Sequence, residues 1–210
     1  MFEFIGFPNA EEFVEFVNQY EKKYKVLDMT YFKAVKDIRN IKLDELTHFH
    51  VVSILRPYLL KWGRMGRVLG YKGCTRIAEK LGEMKNQFDE FQNQTLTTVD
   101  IDEKSNKIKA LYDELVNAKW KSDKGRTKRV GPTSTSKVLH LVIPDLFMIW
   151  DNKIRKTYEF KDNGIEYVRF LASMQNWCKE LGMIVENLQT QYGKSLTKII
   201  DEYNWKKCWG

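Results

Sequence analysis

The chain has 210 residues, with 35 Lys and Arg against 28 Asp and Glu, a formal charge of +7, 43% hydrophobic and 13% aromatic residues. That apolar content excludes a disordered tail, and the basic excess favours a polyanionic partner, because each phosphate neutralised releases condensed counterions. Cys74, Cys178 and Cys208 form no C-x-x-C pair, which argues against a disulfide framework or zinc site; no signal-peptide pattern and no long apolar run is present, so a cytoplasmic protein without membrane contact is expected.

Helical periodicity dominates. Phe13, Phe16, Val17 and Tyr20 make one stripe behind an Asn9 N-cap. A second helix is predicted near Thr30, with Tyr31, Val35 and Ile38 inward. From Asp44 the spacing Leu46, Phe49, Val52, Leu55 and Leu59 predicts a longer helix kinked at Pro57. Gly63, Gly66, Gly70 and Gly73 interrupt the pattern. Ile77, Leu81, Met84, Phe88 and Phe91 then line another helix. Asp100 and Glu103 read as a capping box ahead of Ile108, Leu111 and Leu115, and a short strand is conceivable over Val99–Ile101. Further helices are expected over Ser134–Val142, after Asp151, along Tyr167, Phe170, Met174, Trp177 and Leu181 as far as Gly182, before Gly193, and from Ser195. The fold class is therefore all-α, about ten helices in one domain or in two lobes, 1–118 and 119–210, around a cleft.

Two segments carry chemistry. Lys119, Lys121, Lys124, Arg126, Lys128 and Arg129 form a basic loop opposed only by Asp123, and it leads into Gly131, Pro132 and the hydroxyls Thr133 and Ser134. Cations before a helix N-terminus suit phosphate, and small hydroxyls donate to its oxygens; a solvated loop that merely caps the next helix is the plainer alternative. A second basic patch includes Arg64 and Arg67 beside Trp62, an arrangement that fits a nucleic-acid backbone and a stacked base, or else snorkelling side chains around core aromatics. His48 and His50 lie on different helix faces, and no nucleotide-binding or zinc-protease motif occurs, so neither metal nor cofactor is expected.

Val130-Gly131-Pro132-Thr133 resembles the second half of the phosphate-gripping hairpin of the helix-hairpin-helix DNA glycosylases. Pro144-Asp145-Leu146-Phe147-Met148-Ile149-Trp150-Asp151 is similar to that family's stretch leading to its catalytic aspartate, which lies at the next helix N-terminus. The resemblance covers about thirty residues. It implies a helix-hairpin-helix-like element near 120–142, a catalytic role for Asp151, and DNA rather than RNA as partner. The first hairpin glycine falls on Arg129, and the position of the family's Schiff-base lysine falls on Thr133. Lys137, one helical turn later, is a candidate by its own chemistry only.

Removing a base builds positive character on the sugar, which a carboxylate such as Asp151 would stabilise, and a neutral amine such as Lys137 would add strand cleavage through an imine. Trp150, Phe147 and Trp62 are the expected lining of a pocket for a flipped base. The plainer readings are an N-cap for Asp151 and core for Trp150 and Phe147. The alternatives in function are a non-catalytic nucleic-acid-binding module and a protein-interaction domain with a basic face.

Overall fold

The computed structural model describes residues 7–24 and 28–209. Asn9 caps α1 (Ala10–Tyr24) by accepting the Glu12 amide at 2.9 Å, and Phe13 and Val17 are buried. In α2 (Met29–Ile38) Tyr31, Ala34 and Ile38 point inward. Asp28 stands at its N-cap position without capping it, because its carboxylate is drawn into the interior.

The long helix expected after Asp44 starts later, at His48, and is mostly π-helical as far as Trp62. A 3-10 turn (Leu43–Glu45) precedes a short α3 (His48–His50), which continues as π-helical turns over Val51–Leu55 and Pro57–Trp62. Widened turns let Pro57, which has no amide hydrogen to donate, sit inside a helical run instead of kinking a regular one. They also change the angular offset between the two ends of the run, so Phe49 (70% exposed) and Val52 lie off the buried face that Leu55, Tyr58 and Leu59 share.

α4 (Gly70–Glu83) starts within the glycine run, and α5 (Lys85–Asp89) follows after a break at Met84. The stripe Ile77, Leu81, Met84, Phe88 and Phe91 is buried as the periodicity predicted. α6 (Ile101–Val116) begins where a strand was conceivable, and Asp100 caps it by accepting the Glu103 amide at 2.9 Å. The basic segment is an antiparallel hairpin rather than a loop. β1 (Lys119–Lys121) pairs with β2 (Thr127–Arg129), with Lys119 opposite Arg129. Trp120 seats the hairpin on α4 against Gly73, where a Cβ would come within 2.9 Å of the ring.

Gly131, at φ 75°, turns the chain into α7 (Pro132–Val142). α8 (Asn152–Thr157), α9 (Gly164–Leu181), α10 (Met183–Tyr192) and α11 (Leu196–Trp209) complete the described residues, which are all-α apart from the two short strands. One buried cluster extends from Phe13 to Tyr203 and draws on both sides of position 118. No helix among the described residues is long and apolar enough to cross a membrane.

Candidate functional site

Lys137 lies in the middle of α7, and its Nζ donates to the Gly63 carbonyl at 2.7 Å. That carbonyl is available because the π-helical stretch ends there: the Gly63 amide donates to Tyr58 O, and a Cβ on Gly63 would meet Leu59 O at 2.7 Å. Tyr58 in turn donates its hydroxyl to Lys137 O at 2.8 Å, which ties the π-helical stretch to α7. The half-buried Trp62 ring lies 5.5 Å from the Lys137 amine. Burial lowers the pKa of Lys137, Asp201 and Asp151 pull it back up, and Arg64 adds to the lowering. Arg64 itself holds the left-handed region at φ 54°, a conformation that a non-glycine residue occupies only when its surroundings impose it.

Asp151 caps α8: Oδ1 accepts the amides of Lys153 (2.8 Å) and Ile154 (2.9 Å), and Oδ2 accepts the Trp209 indole N–H at 2.8 Å. Lys153 covers the other side of Trp209, 3.9 Å from its ring. With both oxygens engaged, Asp151 offers a fixed negative charge rather than a base free to swing toward a proton. Its negative charge favours the protonated form of Lys137.

Trp150 and Phe147 do not line a pocket, contrary to expectation. Both are fully buried; Trp150 donates to Tyr112 Oη at 3.1 Å and packs against Tyr167 and Phe170. Ser134 is likewise buried, so its hydroxyl cannot reach a phosphate, and Ser136 holds the Trp150 backbone instead. Thr133 stays partly exposed, and the N-terminus of α7 carries no side-chain cap. The Gly131 amide points inward to Val116 O at 3.3 Å and is therefore not a free phosphate donor. Of the predicted base-pocket residues only Trp62 stands beside the candidate amine.

Lys121, Lys124, Arg126, Lys128 and Arg129 are all exposed on the hairpin. Docking of the hairpin joins the two basic patches: Lys128 Nζ donates to Val68 O at 3.3 Å, beside the exposed Arg67, and Lys72 pairs with Asp123 at 2.7 Å. The two segments therefore meet at Lys128 and Val68 and at Lys72 and Asp123. Comparisons with family models, with curated proteins and with solved structures find no match for this chain.

Behind Trp62 lies a buried ionic cluster. Trp62 Nε1 donates to Asp28 Oδ1 at 3.1 Å, and Lys198 approaches the same oxygen at 3.2 Å and Glu202 at 2.9 Å. Lys194 bridges Glu202 at 2.6 Å and Glu21, and Asp201 lies 3.9 Å from Lys198. The Lys198 ammonium also faces Tyr20, Tyr31 and Trp62 at 5.2 to 5.5 Å. Burial pulls the Lys198 pKa down, but Glu202 and Asp28 outweigh it and hold the group charged. Two ammoniums cannot balance four carboxylates, and burial pushes Asp201 up to about 6 and Glu202 up to about 7. None of the charged residues of this cluster was singled out from the sequence. The available signal was a Lys198, Asp201, Glu202 set at i, i+3 and i+4 inside the apolar run Leu196–Tyr203.

His140 sits at the edge of this interior. Its Nδ1 must donate to Phe147 O at 2.7 Å, since a carbonyl only accepts, so Nε2 accepts the Tyr31 hydroxyl at 2.8 Å. Burial drives its pKa down to about 3. A base whose folded pKa is depressed favours folding above its unfolded value and loses that contribution as pH falls through 6.5 toward 3. Asp201 and Glu202, raised on folding, act with the opposite sign between about 4 and 7. Urea unfolding from pH 7 to 4 should therefore show the parent losing stability relative to His140→Gln, by up to about 1.4 kcal/mol per pH unit below 6.5. Parallel curves would remove His140 from the acid response.

Two further clefts lie elsewhere. One of about 1000 Å³ is lined by Arg39, Lys85, Gln92 and Asp145, and one of about 570 Å³ runs along α1 and Ile184. Neither is lined by Lys137 or Asp151. Among the described residues no three His, Cys, Asp or Glu side chains are grouped to hold a metal ion.

Proposed function

We propose that this protein binds DNA through the hairpin face and cleaves an N-glycosidic bond with Lys137 as amine nucleophile, a DNA glycosylase with lyase activity. The observation that carries the reading is the desolvated Lys137 amine, held by Gly63 O beside Trp62 within the field of two carboxylates. An amine attacks only when neutral, and burial favours the neutral form. Asp151 would contribute a fixed anion near the developing positive charge of the sugar, and Trp62 a flat apolar face for the extruded base. Arg126, Lys128 and Arg129, with Arg67 alongside, would hold the phosphates.

The hydrogen bonds that occupy both oxygens of Asp151 favour a second reading, a nucleic-acid-binding module without base release. Borohydride trapping on a duplex bearing an abasic site separates the two: a covalent adduct supports the enzyme, and salt-dependent binding with no adduct supports the module. For either reading, Arg126→Glu, Lys128→Glu and Arg129→Glu together should weaken duplex binding and reduce the slope of log K against log salt by up to about 3. Binding that is indifferent to these reversals places the nucleic-acid face elsewhere.

A further inference from the structure

We propose that Phe49 and Tyr71 form a stacking platform for an unpaired stretch of nucleic acid beside the basic hairpin, so that the preferred substrate carries a single-stranded segment, a reading that rests on the hairpin being the nucleic-acid face. Phe49, Val52, Val68 and Tyr71 are all exposed, Phe49 most of all at 70%. The Phe49 ring is presented by a fixed backbone. His50 Nδ1 accepts the Thr47 amide at 3.1 Å, the Val51 amide donates to Thr47 O at 3.1 Å, and the Ser53 hydroxyl donates to Phe49 O at 2.8 Å. The His50 ring meets Phe49 at 72°, with ring centroids 5.8 Å apart. A side chain held in this way loses little freedom when a base covers it.

Tyr71 stands in the first turn of α4. Its hydroxyl is hydrogen-bonded to His48 Nδ1, the two rings lie 5.5 Å apart, and the Arg56 guanidinium lies 5.4 Å from the Tyr71 ring. Phe49 follows His48 in the chain, so its backbone starts about 3.8 Å from that of the residue that touches Tyr71. The two exposed rings therefore flank His48. The hairpin touches the same turn of α4, because Lys128 Nζ donates to Val68 O at 3.3 Å and Lys72 pairs with Asp123 at 2.7 Å. Val68 and Lys72 bracket Tyr71 in the chain, which sets the aromatic pair next to the hairpin cations.

Charge selects the occupant. From His48 to Ala78 the sequence holds Arg56, Lys61, Arg64, Arg67, Lys72 and Arg76 and no Asp or Glu. Arg76 turns to Glu79 and Glu83, and Lys72 to Asp123, whereas Arg56, Lys61, Arg64 and Arg67 form no ion pair among the described residues. Unpaired cations around exposed aromatic rings suit a strand whose phosphates need countercharge and whose bases offer flat faces. A duplex keeps its bases stacked on one another and leaves Phe49 and Tyr71 nothing to stack on, so the strand at this face is unpaired.

Fluorescence anisotropy on the full chain tests the assignment, with a labelled oligothymidylate of about 12 nucleotides and a blunt duplex of the same length as probes. Phe49→Ala, which removes a mostly exposed ring, should weaken oligothymidylate binding by about tenfold, and Phe49→Ala with Tyr71→Ala by about a hundredfold. The salt slope should not change, because no cation is lost, and duplex binding should stay within about twofold. Phe49→Trp should bind at least as tightly as the parent. A Phe49→Ala protein that melts with the parent and binds oligothymidylate equally well overturns the proposal. So does one whose sedimentation coefficient changes while oligonucleotide binding does not, which would make the patch a self-association face. A parent that binds only duplex, in a manner abolished by the hairpin reversals, sinks the platform and leaves the hairpin reading standing; a parent that binds neither probe at low salt sinks both. If oligothymidylate binding depends on Phe49 yet borohydride traps no adduct, the platform stands and the base-excision reading fails.

Discussion

Lys137→Ala is expected to abolish the borohydride-trapped adduct and to lower strand incision by at least about a thousandfold, the loss that follows when the attacking atom itself is removed. Duplex affinity should change little, because the exposed cations that meet phosphate lie on the hairpin and on α7 only this one partly buried amine is lost. Stability should move the other way. The Lys137 pKa is lowered in the folded state by burial, so below its unfolded value the protonated amine opposes folding, and this penalty fades as pH rises from the folded pKa toward 10.5. Lys137→Met, which keeps the stem and removes the charge, should therefore melt no lower than the parent at pH 7 while being equally dead. A function lost with stability retained is the signature of a group kept for chemistry. Adduct formation undiminished in both variants would remove Lys137 from the mechanism.

Lys198→Met should destabilise the fold by about 3–5 kcal/mol, since removal of one partner from a buried ion pair strands the others without water. Lys194 would be left alone with Glu21, Asp28, Asp201 and Glu202. For a chain of this length, each kcal/mol corresponds to about 2–4 °C, so a melting temperature lower by about 10 °C is expected in circular dichroism. The double variant Lys198→Met with Glu202→Leu removes one charge of each sign and should recover part of the loss. Equal melting temperatures for the parent and the single variant would mean that the cluster is wetter than its burial indicates.

The helices with strong period and clear caps were legible residue by residue. Asn9 and Asp100 accept the amides assigned to them, and Tyr167 to Leu181 buries the stripe read from its spacing. Phe49 and Val52 were misplaced because the spacing rule assumes 3.6 residues per turn, whereas the π-helical turns carry more, so positions before and after them no longer share the face that the rule assigns. The basic segment was read as a loop because its strands are three residues long and mostly exposed, which leaves no alternation to detect; Trp120 packing against Gly73 seats it on α4. Ser134, Phe147 and Trp150 were residue types suited to a site, and only their neighbours make them core.

Composition, caps and periodicity were enough to determine an all-α protein with a cationic segment ahead of α7 and an aspartate at the start of α8, because those properties depend on residues close together in the chain. Whether a charged side chain faces water, a phosphate or another charge depends on segments far apart in it. Gly63 meeting Lys137, and Asp28 meeting both Lys198 and Trp62, arise only when α2, the π-helical stretch, α7 and α11 pack together. Burial and the electric field set proton affinity, and both are sums over tertiary neighbours that no local pattern encodes.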